Sequence, residues 1–255
     1  MPKMVADRIR SMGTAHWLSL FGVIILAWSL LFVMAVPADL RALSRLYGTG
    51  FWEALCNVTL DGAGYARAVL MWALMAAAMM LPTALPAFAT HDDLGRQTGV
   101  AFWPLALGYL VVWIGFALAA AALQLGFYRL GLISAIGDSL SAWLTAALLL
   151  GAGIYQFSPL KAACLAKCRQ PLTFFMQHWD AGPFRNGLRL GAVCLGCCWA
   201  LMLLAFVGGV MNLAFMGLAT LIMVGEKMDH VGRYITRPLG IGLILGGVAV
   251  LLGAV

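Results

Sequence analysis

The chain has 255 residues, 63% hydrophobic and only 10% charged, whereas soluble domains carry about 25% charged residues. That balance excludes an ordinary soluble domain and points to one membrane-embedded helical domain over residues 1–255. The net charge of +6 lies in loops and forms no basic face, so nucleic acid is excluded as a partner and the charge reads as topology information.

Residues 1–16 form a short basic head. The first apolar run, Trp17 to Val36, holds 20 residues, longer than the roughly 7–15 of a signal-peptide core. It reads as a first span, ended by Pro37. Residues 37–67 make a mixed-charge loop holding Cys56. The second span, about Ala68 to Phe88, is rich in methionine, and Pro82 and Pro86 are expected to kink its last turns. A polar loop over 90–99 follows, with His91, Asp92 and Asp93. Pro104 suits the first turn of a third span running to about Tyr128. Asp138 or Ser139 is expected to cap a fourth, Ser139 to Phe157.

Ser158 then reads as an N-cap with Pro159 at the first helical position. The short helix it opens is stopped by Pro171 and carries Lys161, Lys167 and Arg169. It is too charged to cross a bilayer and is expected at the interface, with Phe174, Phe175 and Trp179 as anchors. From Leu190 to Gly225 there is no charge. One helix of 36 residues would be about 54 Å long at ~1.5 Å per residue, against a hydrocarbon core of about 30 Å. The run must fold back, and Gly208, Gly209 and Asn212 mark the place. Spans five (about 190–207) and six (about 211–226) result. Pro238 opens a last span, with Gly242 and Gly246 at a close-packing spacing. The fold class is therefore all-α: a polytopic membrane helical bundle of about seven transmembrane helices plus a short interfacial helix.

With the N-terminus inside, outer segments hold Arg41, Arg45, Arg67 and Arg129, and inner segments hold the other 12 of the 16 basic residues. The expected placement is a multi-pass protein of the bacterial inner (cytoplasmic) membrane, N-terminus cytoplasmic and C-terminus periplasmic.

Five of the six cysteines fall between Tyr155 and Cys198. Cys164 and Cys168 share a helix face, as do Cys194, Cys197 and Cys198. Under this topology both clusters lie at the cytoplasmic boundary, the second in the first turns of span five. That compartment is reducing, which disfavours a structural disulfide. Thiolates and thioethers select soft ions, so the expected ion is Cu(I), with zinc as the competitor. The two clusters are expected to form one metal site. Small cysteines also simply pack helices, and that reading stands beside the metal one.

Met71, Met75 and Met79 recur every four residues on span two, with Met80 adjacent. They form a thioether ladder descending toward the cysteine face, or ordinary core filling. Glu226, at the inner end of span six, is an auxiliary ligand, a proton site or the partner of Lys227 or Lys161. His178 is an interfacial residue or a further ligand, and Cys56 is assigned no role. The sequence has no phosphate loop, no Ser-His-Asp set and no paired carboxylates of enzymatic spacing, so nothing points to catalysis.

Three segments carry a family resemblance. They are Met71-Trp72-Ala73-Leu74-Met75 to Met79-Met80-Leu81-Pro82; Tyr155-Gln156-Phe157-Ser158-Pro159-Leu160-Lys161 with Cys164, Cys168-Arg169 and Pro171; and Gly196-Cys197-Cys198-Trp199 through Gly209-Val210-Met211-Asn212 to Glu226-Lys227. Together they resemble an uncharacterised prokaryotic family of predicted metal-binding integral membrane proteins. The resemblance implies metal binding and names no ion, substrate or reaction. The expected function is soft-metal binding, with movement of the ion across the membrane. The expected partners are the lipid bilayer, the metal ion and a membrane complex or metallochaperone. The alternative is a non-catalytic structural or assembly subunit of a larger membrane complex. A membrane thiol oxidoreductase is weaker, because Cys198 complicates the Cys194–Cys197 pair.

Overall fold

The computed structural model describes residues 7, 9–35, 60–228 and 231–253. The expectations for Cys56 and for Lys3, Arg8, Arg41 and Arg45 fall outside the described residues. Among those described, the architecture is all-α, with one isolated backbone bridge between Ile133 and Ser139. In chain order the helices are α1 (Thr14–Ala35), α2 (Gly62–Thr98), α3 (Trp103–Arg129), α4 (Ala142–Tyr155), α5 (Pro159–Arg169), α6 (Pro171–His178), α7 (Pro183–Leu203), α8 (Ala205–Gly208), α9 (Leu213–Lys227) and α10 (Gly232–Leu251).

Among the described residues, five helical runs are long and apolar enough to cross a membrane: α1, α2, α3, α7 continued by α8, and α10. The expected spans four and six are the shorter helices α4 and α9, of 14 and 15 residues. At ~1.5 Å per residue they reach about 21–22 Å, short of a hydrocarbon core of about 30 Å. Helix α4 joins α5 through a 62° bend, and the pair taken together meets the same criterion. The bend has a local cause. Pro159 pushes Ser158 into an extended conformation, and Ser158 Oγ accepts from the Lys161 amide at 3.1 Å, starting a new helix. The fold-back near 208–212 occurs as expected, with Gly209 at φ 92 and Asn212 Oδ1 capping α9 through the Phe215 amide at 3.1 Å.

Helix α2 departs most from expectation. It does not stop near Phe88; it runs unbroken through Pro82 and Pro86 to Thr98, so the polar loop expected over 90–99 is its last turns. Proline removes one helical donor, here the one owed to the Ala78 carbonyl. Trp28 Nε1 of α1 supplies it instead, at 3.0 Å. The polar end is buried rather than exposed: Thr90, His91 and Asp92 are each 3% exposed or less. Phe174 and Phe175, expected as interfacial anchors, are buried too, and the Phe175 and Trp179 rings pack on His91. Pro238 lies inside α10 rather than at its start. Gly242 faces open space, and Gly232, Gly240 and Gly247 make close contacts from that helix instead.

What positions the centre of the bundle is the contact of α3 with α7. A Cβ on Gly187 would lie 2.1 Å from the Leu105 carbonyl oxygen, and one on Gly108 would lie 2.3 Å from that of Phe184. Only glycine lets the two backbones come this close. The next residue after Gly108, Tyr109, is thereby held against the middle of α7.

Candidate metal centre

Cys194, Cys197 and Cys198 stand at i, i+3 and i+4 of α7, so one helical face presents all three sulfurs. The three Sγ atoms lie within 4.8 Å of one another, and each residue is 1% exposed. Cys197 and Cys198 Sγ are 3.2 Å apart. Helix α5 brings a fourth sulfur from the other cluster: Cys168 Sγ is 3.9 Å from Cys197 Sγ. Around an ion with bonds of about 2.3 Å, sulfurs sit about 4.0 Å apart in a trigonal set and about 3.8 Å apart in a tetrahedral one. The Cys168–Cys197 separation of 3.9 Å already falls at these values, and the 3.2 Å between Cys197 and Cys198 is shorter. Among the described residues this group contains no histidine and no carboxylate, so its donors are soft only.

The sulfurs lie deeper than the first turns of a span. Helix α7 begins at Pro183 rather than near 190, behind Gly182 at φ 82. Asn186 and Gly187 in its first turns are buried. The thiols therefore fall near the middle of the Pro183–Gly208 run.

Three polar groups close the side of Cys194. Lys227 Nζ donates to Cys194 Sγ at 3.0 Å and to Thr83 Oγ1 at 2.6 Å. The Tyr109 hydroxyl is 3.3 Å from the same sulfur, and Thr83 Oγ1 is 3.9 Å from it. An ammonium at this distance compensates one of the negative charges that a thiolate cluster gathers. Sequence reasoning passed over Tyr109 and Thr83 and treated Lys227 only as a partner for Glu226. The available signals were a phenol in the midst of an apolar span and a lysine closing a long uncharged run.

Glu226 is paired with Lys161. Both its carboxylate oxygens accept from Lys161 Nζ, at 2.8 and 3.1 Å, and both side chains are 2% exposed. Arg169 also donates to the Glu226 carbonyl, at 2.6 and 3.0 Å. Residues 161 and 169 thus clamp the two ends of α5 to the end of α9. Cys164 stands between the clamps, half-buried, its sulfur lying over Gly196, where a Cβ would come within 2.6 Å of it. It is not one of the three gathered sulfurs. Met71, Met75, Met79 and Met80 are all 2% exposed or less on α2. Met80 reaches the site through its backbone: its carbonyl accepts from Tyr109 at 3.0 Å and from Thr83 at 2.9 Å. His178 turns its Nδ1 to the Phe174 carbonyl of its own helix, at 3.0 Å.

Against this geometry, residues 69–250, more than two thirds of the chain, match a family described as copper chaperone, PpoB2. The chain belongs to the PpoB2 family of copper chaperones. Neither a curated protein nor a solved structure matches it. For a copper chaperone the donor set is chemically apt, since copper is a soft metal that thiolates hold well. The match covers every thiol described above, Lys227, Tyr109 and the methionines of α2.

Proposed function

We propose that this copper chaperone is an integral membrane protein that holds Cu(I) on Cys194, Cys197 and Cys198, with Cys168 as a fourth thiol, and moves the ion across the bacterial inner membrane. The observation that carries the reading is the convergence of these sulfurs midway along a helical run apolar enough to span a bilayer. An exposed thiol cluster would suit a soluble carrier equally well. One buried at that depth suits an ion on its way through. Met71, Met75, Met79 and Met80 supply thioethers along the way, and the backbone contacts of Met80 with Tyr109 and Thr83 support that continuity. With α4 and α9 counted as crossings, the N-terminus is cytoplasmic and the C-terminus periplasmic, the arrangement that keeps most basic residues inside.

Elemental analysis of the purified protein tests the reading, after loading under reducing conditions with copper and zinc in competition. Copper retained in stoichiometric amount is expected. Zinc in its place would change the ion, and neither metal would leave an assembly subunit as the better account. A periplasmic reporter fused after Val255 should be active and one fused near Asp180 silent; the opposite pair would reverse the topology.

A further inference from the structure

The buried sulfurs need a way to be reached, and the structure closes one side of them. Beside Cys194 stand Tyr109, Thr83 and Lys227. Toward α5 the thiols instead form a gradient of burial. Cys194, Cys197 and Cys198 are each 1% exposed, while Cys168 and Cys164 are half-buried. We propose that α5 is the port of the site: Cys164 takes Cu(I) from an anionic bis-thiolate complex and passes it through Cys168 to Cys197.

Each link has its own geometry. Cys168 Sγ is 3.9 Å from Cys197 Sγ, close enough for one ion to bridge both. Cys164 precedes Cys168 by one helical turn, with Cβ atoms about 5–6 Å apart. An ion held linearly between two sulfurs spans about 4.6 Å, so this pair holds Cu(I) in two-coordination. Gly196 keeps the way open, because any larger residue there would meet the Cys164 sulfur. The relay stays in place because Lys161 and Arg169, on either side of both cysteines, are tied to Glu226. Lys167 is exposed and stands three residues after Cys164, on the same face. Its charge suits a donor that arrives negatively charged, as Cu(I) with two thiolates does.

Every step is a ligand exchange without electron transfer. Copper gains a bond to Cys164 sulfur as one donor thiolate leaves, and a bond to Cys168 sulfur as the second leaves, each departing thiolate taking up the proton that its cysteine gives up. A bond from copper to Cys197 sulfur then forms as the one to Cys164 breaks, and the Cys197 proton passes to the Cys164 thiolate.

The inference rests on the buried thiols being a Cu(I) site, and the experiment separates the two claims. Purified full-length protein is mixed anaerobically with Cu(I)–dithiothreitol, and loading is followed by thiolate-to-copper absorption in stopped flow. Cys164→Ser should slow loading about tenfold or more while the final amount of bound copper stays near wild type, the pattern of a rate effect without an affinity effect. Lys167→Glu should slow loading from this anionic donor and leave loading from the cationic acetonitrile complex of Cu(I) unslowed. A Cys164→Ser protein that loads as fast as wild type overturns the port. So does one that loses copper as fully as Cys197→Ser, which would make Cys164 a resident ligand. A wild-type protein that takes up no copper overturns the buried site itself, and the port with it.

Discussion

Two buried polar clusters lie along α2, and they are built on opposite plans. Near its end, Asp92 is 3% exposed and surrounded by donors: the Gly13 amide at 2.9 Å, His16 Nδ1 at 2.6 Å and Arg96 at 3.2 Å. One acceptor meets several donors, and the carboxylate is satisfied within the protein. About two and a half turns earlier, Thr83 touches the other cluster, where three buried sulfurs face one another with a fourth beside them. These are groups of one kind, each a weak hydrogen-bonding partner as a thiol and repelling its neighbours as a thiolate. Lys227 supplies only one positive charge. A buried polar set that the protein completes is architecture; one that only a further cation completes is a binding site.

A reciprocal pair of variants gives the largest expected separation of the two. Cys197→Ser should remove most bound copper with little change in thermal stability, because serine keeps nearly the same shape. Asp92→Ala should leave the copper content of the folded protein unchanged and cost about 2–3 kcal/mol of stability. That is below the ~3–5 kcal/mol of a fully buried pair, because the Arg96 side chain is 47% exposed and regains water. Copper lost from Asp92→Ala while it remains folded would break the comparison.

Lys227→Met is expected to act more moderately. It keeps the length of the side chain and removes its charge and donors, so copper affinity should fall about 10–100-fold, the usual range for groups supporting a metal ligand. Chelator competition measures this, and an unchanged affinity would mean that the lysine merely fills space.

Smallest at equilibrium should be the combined change Met75→Leu and Met79→Leu. Leucine is close to methionine in volume, and such swaps usually cost under about 1.5 kcal/mol. Copper content should stay near wild type while flux in proteoliposomes falls sharply. Unchanged flux would make these buried methionines plain core.

The composition and the spacing of apolar runs were enough for an all-α bundle, because long apolar runs bury their backbone polar groups and a helix satisfies those groups within the run itself. The cap at Ser158, the fold-back at Gly209–Asn212 and the shared face of Cys194, Cys197 and Cys198 follow equally from neighbours in sequence. Other features depend on partners far along the chain. Where Pro82 leaves the Ala78 carbonyl without its helical donor, Trp28, 50 residues before Ala78, serves it. Glu226 is an ion-pair partner because α5 carries Lys161 to it, 65 residues away. The thiol cluster acquires Tyr109 because Gly108 and Gly187 let two backbones touch. Hydrogen-bonding patterns within four residues are written in the order of the amino acids, whereas the company a buried side chain keeps is set by how the helices pack.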